Sequence, residues 1–147
     1  MRNLLKGIFV IVLAVTSGQA LADLPVALVD EARLTYDHSP SNYDNSPSNY
    51  DNSISNYDNS PSNYDNSESN YDNSASNYEN GRSGNRRLIY SSNGSQTFAG
   101  YYVIADNGTT NFFSPSGKRM FYTPKGGRGV YGGKDGSFCG VLAVVDG

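Results

Sequence analysis

Tyr36, Tyr43, Tyr50, Tyr57, Tyr64, Tyr71 and Tyr78 stand seven residues apart, and the chemistry between them rules out the usual ways of folding a seven-residue period. The unit is Tyr-Asp-Asn-Ser-x-Ser-Asn. It runs in six copies from Tyr36 to Asn77, with His38 replacing Asn in the first, and decays into Tyr78-Glu79-Asn80-Gly81-Arg82-Ser83-Gly84. A coiled-coil seam needs two apolar positions per heptad; here there is one large side chain, among poor helix formers. In a strand the side-chain period is two, so an odd repeat puts successive tyrosines on opposite faces and offers no common surface to bury. Ser-Pro-Ser-Asn suits a type I turn, and Asn and Asp add local side-chain to backbone bonds. The expectation for 36–84 is therefore a disordered tract of transient turns. The variable position reads Pro40, Pro47, Ile54, Pro61, Glu68, Ala75, which suggests a site packed against nothing in particular.

Two roles fit such a tract. One is a flexible acidic extension grown by slippage of repetitive DNA. The other is a row of tyrosine stickers that self-associate, opposed at neutral pH by the repeat aspartates. A calcium site is a weaker reading, because the Asp/Asn spacing lacks the glycine that folds a loop around the ion.

The sequence before the repeat divides in two. Arg2 and Lys6, the apolar stretch from Gly7 to Val15 and the small-x-small Ala20-Leu21-Ala22 form a secretory signal peptide over 1–22, with cleavage before Asp23. The apolar stretch is short for a membrane span of ~30 Å, so the expectation is an exported protein, periplasmic or extracellular, with no transmembrane segment. Residues 23–35 read as a short segment, possible as a helix with Pro25 near its start.

From 85 to 147 the composition changes to short apolar and aromatic runs between glycine-marked turns, the signature of a small all-β domain. Strands are expected at Arg87–Ser91, Phe98–Ala105, Asn111–Ser114, Arg119–Thr123 and Phe138–Val145. Turns are expected at Asn93-Gly94, Asp106-Asn107-Gly108, Ser114-Pro115-Ser116-Gly117 and Lys134-Asp135-Gly136. The fold class is thus a mostly disordered repeat plus an antiparallel hairpin meander, curled into a small barrel or sandwich. The one cysteine, Cys139, excludes an intramolecular disulfide, so apolar packing has to hold the domain together.

The chemistry-bearing motifs are few. Gly127-Arg128-Gly129-Val130-Tyr131-Gly132 matches Gly-x-Gly-x-x-Gly, but Gly133-Lys134-Asp135-Gly136 stands where a helix has to begin and no βαβ unit surrounds it. It reads instead as a glycine-rich hairpin loop. Lys125, Gly127, Arg128, Gly129 and Lys134 make that loop a possible anion-binding nest. Charge is divided along the chain: residues 23–80 hold eleven acids and one base, residues 81–147 eight bases and three acids, so the repeat can fold back over the basic unit as an electrostatic cover. Cys139 has no histidine in the folded unit to activate it, which leaves an intermolecular disulfide as its functional reading. With one histidine in the whole chain, no catalytic, cofactor or zinc site is expected. The functional expectation is an exported, non-enzymatic accessory or binding protein whose partner is an anionic envelope polymer or a protein. The alternative is a structural or matrix protein that self-associates through the repeat tyrosines.

Overall fold

A computed structural model describes residues 9–16 and 23–145. Residues 1–8, 17–22 and 146–147, among them the expected cleavage site, lie outside the described residues. Seven strands curl into a half-barrel: β2 (Leu24–Asp30), β3 (Arg87–Ser92), β4 (Ser95–Ile104), β5 (Thr110–Phe113), β6 (Arg119–Thr123), β7 (Gly129–Gly132) and β8 (Phe138–Val145). An eighth, β1 (Phe9–Thr16), spans the open side and closes the ring. From β3 to β8 each strand pairs antiparallel with the next, as the meander predicts. The sheet is mixed because β2 runs parallel to β3 and β1 runs parallel to β8. It is a curled single sheet, so of the two architectures expected from sequence the sandwich is excluded.

The turns follow their sequence chemistry. Asn93 and Gly94, at φ 52° and 82°, join β3 to β4 as a two-residue hairpin of the kind that needs positive φ at both positions. Gly100 sits at φ 137° where β4 bends, and a Cβ there would lie 2.0 Å from the Phe113 carbonyl oxygen.

The core lies in the lumen. Leu24, Leu88, Tyr102, Phe112 and Val130 are buried together, with Val26, Ala99, Met120, Phe121 and Leu142 packed on them. All seven strands contribute to this cluster, and only the inside of a curled sheet lets them meet. Tyr101, Val103 and Phe113 form a second cluster with Phe98. They alternate with Tyr102 and Phe112 along β4 and β5, so they face outward. That the outward face is also buried requires something to cover it.

The cover is the repeat, and here the sequence expectation is corrected. Residues 36–84 are ordered: every copy makes a 3₁₀ turn at Tyr-Asp-Asn, from Tyr43–Asn45 through Tyr71–Asn73, with Tyr36–His38 and Tyr78–Asn80 at the ends. The preceding Asn caps each turn from Tyr43 onward, as when Asn42 Oδ1 accepts from the Asp44 N–H at 3.0 Å. The following Ser closes a second local turn, with Ser46 Oγ accepting from Ser48 N–H at 3.0 Å. The Asn that ends the 3₁₀ turn reaches back one repeat: Asn52 Nδ2 donates to the Asp44 and Ser46 carbonyls at 2.8 and 3.0 Å, and its counterparts do the same. Links to residues six and eight back define a narrow coil of one heptad per turn. The disorder argument failed because it looked for apolar surface to bury. This coil buries amide side chains instead, and a buried polar group costs little when hydrogen-bonded.

Two further expectations are corrected. Residues 24–30 are a strand rather than a helix, because Leu24 and Val26 are drawn into the lumen. Residues 129–132, expected as part of a glycine-rich loop, are strand β7 with Val130 and Tyr131 fully buried; the loop proper ends at Arg128.

Candidate functional site

The outer face of the half-barrel carries one polar-tipped side chain for almost every repeat it meets. Tyr131 on β7 donates its hydroxyl to the Asn45 carbonyl at 2.6 Å, and Tyr122 on β6 to Asn52 at 2.8 Å. Arg119 Nη2 donates to the Asn59 carbonyl at 2.8 Å, while Thr109 Oγ1 donates to Asp58 at 2.8 Å. On β5, Asn111 Nδ2 donates to Asn66 Oδ1 at 2.8 Å; on β4, Tyr101 donates to the Asn73 carbonyl at 2.6 Å. Arg86, just before β3, donates to Asn80 Oδ1 at 2.7 Å. The repeat therefore crosses the sheet from β7 towards β3, meeting the strands in reverse chain order. Asn45 to Asn73 is four repeats laid over three strand steps of ~4.8 Å. With strands tilted ~40°, the advance is on the order of 5 Å per repeat.

Arg119 holds the centre of this clamp. A register shift between Phe112 and Phe113 lets Arg119 and Tyr122, three residues apart, face the same side. The Arg119 guanidinium is buried, bonded to Asn111 Oδ1 at 2.8 Å, the Gly133 carbonyl at 3.3 Å and the Asn59 carbonyl, and lies 4.9 Å over the Tyr122 ring. Burial pushes it down to about 10, against the pull of Tyr122 and Glu68. Its backbone N–H donates to Glu68 Oε2 at 2.7 Å. Burial also raises the hydroxyls of the clamp: Tyr101 and Tyr122 to about 12, and Tyr131 in the same direction. At neutral pH all three are donors.

Glu68 belongs to the variable position of the repeat, and it is not the only one that meets the barrel. A Cβ on Gly136 would come within 2.9 Å of Ile54 Cβ, and one on Gly117 within 3.5 Å of Ala75 Cβ. The three copies that lack proline thus each face a barrel turn or strand start, which corrects the expectation that this position packs against nothing.

The other side of the coil faces out. Tyr36, Tyr43, Tyr50, Tyr57, Tyr64, Tyr71 and Tyr78 are 59–75% exposed, one per repeat. Asp44, Asp51, Asp58 and Asp72 are exposed beside them. The result is a column of phenol rings and carboxylates on a ~5 Å pitch, held from behind by the clamp.

Of the anion-site residues expected from sequence, the structure brings Lys125, Gly127 and Arg128 together in a cleft of about 420 Å³, whose other wall is Asp44, Asn45, Asn49, Asp51 and Asn52. Arg128 Nη2 also donates to the Asp37 carbonyl at 3.0 Å. Lys134 lies apart, in a cavity of about 290 Å³ with Glu68, Pro61 and Arg119. Gly129 is in β7, where a Cβ would strike the Tyr131 hydroxyl. Cys139 is half-buried on β8, its Sγ 3.4 Å from the Ser137 carbonyl, and burial raises its thiol.

Sequence reasoning missed Arg119, Asn111, Tyr101, Tyr122 and Tyr131. Their signal was two-sided strands: Tyr101-Tyr102 and Phe112-Phe113 place large rings on both faces, which a sheet with one solvated face does not do. No helix among the described residues is long and apolar enough to cross a membrane. No protein-family model, curated protein or solved structure matches the chain.

Proposed function

We propose that the protein is an exported, non-enzymatic binding protein whose recognition face is the tyrosine column. The observation that carries this reading is the repetition of one exposed ring in seven consecutive repeats, on a coil whose opposite side is fixed to the barrel. Exposed aromatic surface of this extent marks an interaction site, and rings held in place lose little entropy on binding. The exposed carboxylates of Asp44, Asp51, Asp58 and Asp72 beside the rings favour a partner with regularly placed cations or hydrogen-bond donors. Export rests on the signal-peptide features of residues 1–22.

The basic loop has a place in the same reading. Arg128 bonds the Asp37 carbonyl, and Asp44 and Asp51 line the cleft beside Lys125 and Arg128, so the loop serves as an anchor for the start of the repeat.

The test is a triple variant, Tyr50→Ser, Tyr57→Ser and Tyr64→Ser, compared with the parent for capture of components from the native envelope and medium. Loss of capture at an unchanged melting temperature is expected. Equal capture by parent and variant overturns the reading. A second reading, self-assembly, draws on the same column, since identical rings at a fixed pitch are complementary to a second such column. Sedimentation at rising concentration distinguishes the two: the triple variant abolishes assembly under the second reading.

A further inference from the structure

The strand that closes the barrel lies inside the leader. β1 pairs antiparallel with β2, Phe9 opposite Asp30 through Leu13 opposite Val26. It pairs parallel with β8, Ile11 beside Gly140 through Thr16 beside Val145. The export reading above, on which this inference rests, removes β1 by cleavage before Asp23. Asp23 is itself fixed to β3, its Oδ1 accepting from Arg87 Nε at 2.9 Å, so β2 stays anchored at its start after the cut. What remains has two open edges. Val26–Asp30 of β2 and Gly140–Val145 of β8 lose the ladder β1 gave them. β3 pairs with β2 only at Leu24–Val26, so Ala27–Asp30 are left without any partner strand. Val26 and Leu142, at the two lips, pack on the lumen core. Neither edge has the lysine with which proteins blunt an exposed strand, and the irregularity of β8 falls at Cys139, before the edge that β1 covers: Val26–Val29 and Gly140–Val145 contain no charge and no proline.

The sequence says what fits this gap. Val12-Leu13-Ala14-Val15 of β1 recurs as Val141-Leu142-Ala143-Val144 of β8, and the two copies lie beside each other residue for residue in the parallel ladder. β8 therefore carries the segment that β2 accepts from β1. Because β1 is parallel to β8 and antiparallel to β2, the β8 edge of one molecule meets the β2 edge of another in the antiparallel direction that continues the sheet.

We propose that the mature chain associates with a second copy of itself by this exchange, β8 of each molecule taking the place of β1 on β2 of the other. The tetrapeptide fixes the register. Val26 stands opposite Leu142 of the second copy and Ala27 opposite its Val141, as they stand opposite Leu13 and Val12 in the unprocessed chain. Two residues further on, Val29 stands opposite Cys139. The leader is then a placeholder that keeps the barrel closed until export. Since Cys139 faces valine in this arrangement, the native pair is not disulfide-bonded.

The test uses protein purified from the exporting cell, with its N-terminus sequenced, beside the unprocessed chain. The chain beginning at Asp23 is expected to sediment as a dimer at micromolar concentration, and the unprocessed chain as a monomer. Val29→Cys in the mature chain should give a covalent dimer through the native Cys139 on mild oxidation, and adding Cys139→Ser should abolish it. In the unprocessed chain the two sites flank β1, about two strand spacings or ~9.6 Å apart, too far for a bridge. Leu28→Lys, at a side chain already 56% exposed and clear of the core, should raise the dimer dissociation constant at least tenfold while leaving the melting temperature of the dilute monomer in place. A monomeric mature chain overturns the proposal. So does a bridge formed within one molecule between Cys139 and the thiol introduced by Val29→Cys, because it shows that β2 has closed onto its own β8. Native protein that begins at Met1 defeats the export reading instead, and the tyrosine triple variant, which keeps both edges, tells edge pairing from column pairing.

Discussion

The two faces of the curled sheet are held by opposite kinds of chemistry. Inside, Leu24, Leu88, Tyr102, Phe112 and Val130 make an apolar lumen fed by all seven strands. Outside, Tyr101, Tyr122, Tyr131, Asn111 and Arg119 hold a coil that buries hardly any hydrocarbon and is fixed by hydrogen bonds at intervals of seven residues. Burial of apolar surface is non-directional, so the lumen specifies that the sheet curls but not what lies against it. Hydrogen bonds are directional and costly to leave unmade, so the outer face specifies a register. The comparison teaches that the repeat takes its register from matching to the barrel as well as its shape from its own bonds: Asn45, Asn52, Asn59, Asn66, Asn73 and Asn80 are all buried, and each meets a donor from the barrel side.

The sharpest way to break the inner face is Phe112→Ala, which empties the space of a fully buried ring. The expected loss is about 3–5 kcal/mol, read as a lower urea midpoint with repeat and barrel unfolding together. Separate transitions would show that the coil is ordered on its own.

The outer face is tested by register. Deleting Ser60–Asn66 removes one heptad and keeps the period, but the clamps before it and after it can no longer all be met. At about 1 kcal/mol per hydrogen bond, losing two or three clamps costs about 2–3 kcal/mol in the same melt. A deletion variant as stable as the parent would mean that the coil slides freely on the sheet.

A smaller effect distinguishes the faces by pH. The buried hydroxyls of Tyr101 and Tyr122 are pushed up to about 12, from an ordinary value near 10, and Tyr131 is raised too. With the folded value above the unfolded one, their contribution is fully present below pH ~10 and is lost as pH rises through about 12. Stability should therefore fall across that window, and Tyr122→Phe with Tyr131→Phe should flatten the fall while lowering stability at neutral pH. An unchanged slope in the double variant places the alkaline transition elsewhere. The smallest effect is expected on the column itself: Tyr57→Ser, at an exposed ring, should change stability by less than ~0.5 kcal/mol.

Much of the barrel was legible in the sequence. The Arg119–Thr123 and Phe138–Val145 strands appear with the bounds read from their apolar runs, and Asn93-Gly94 forms the hairpin its chemistry requires. The β7 strand was hidden because its glycines at 129 and 132 signal a loop. Only the burial of Val130 in the lumen and the bond from Tyr131 to Asn45 draw it into the sheet. Residues 24–30 were equally ambiguous, since a short apolar run fits a helix or a buried strand until a neighbouring strand offers a ladder.

For the repeat, the sequence by itself determined the period, the turn at Ser-x-Ser-Asn and the exclusion of helix and strand, because all three follow from local chemistry within seven residues. Only the tertiary structure decided that the turns stack into a coil and that the rings face out. The bonds that decide it run from Asn45, Asn52, Asn66 and Asn73 to residues six and eight back and to strands up to 86 residues ahead. Partners at that separation leave no local pattern in a sequence.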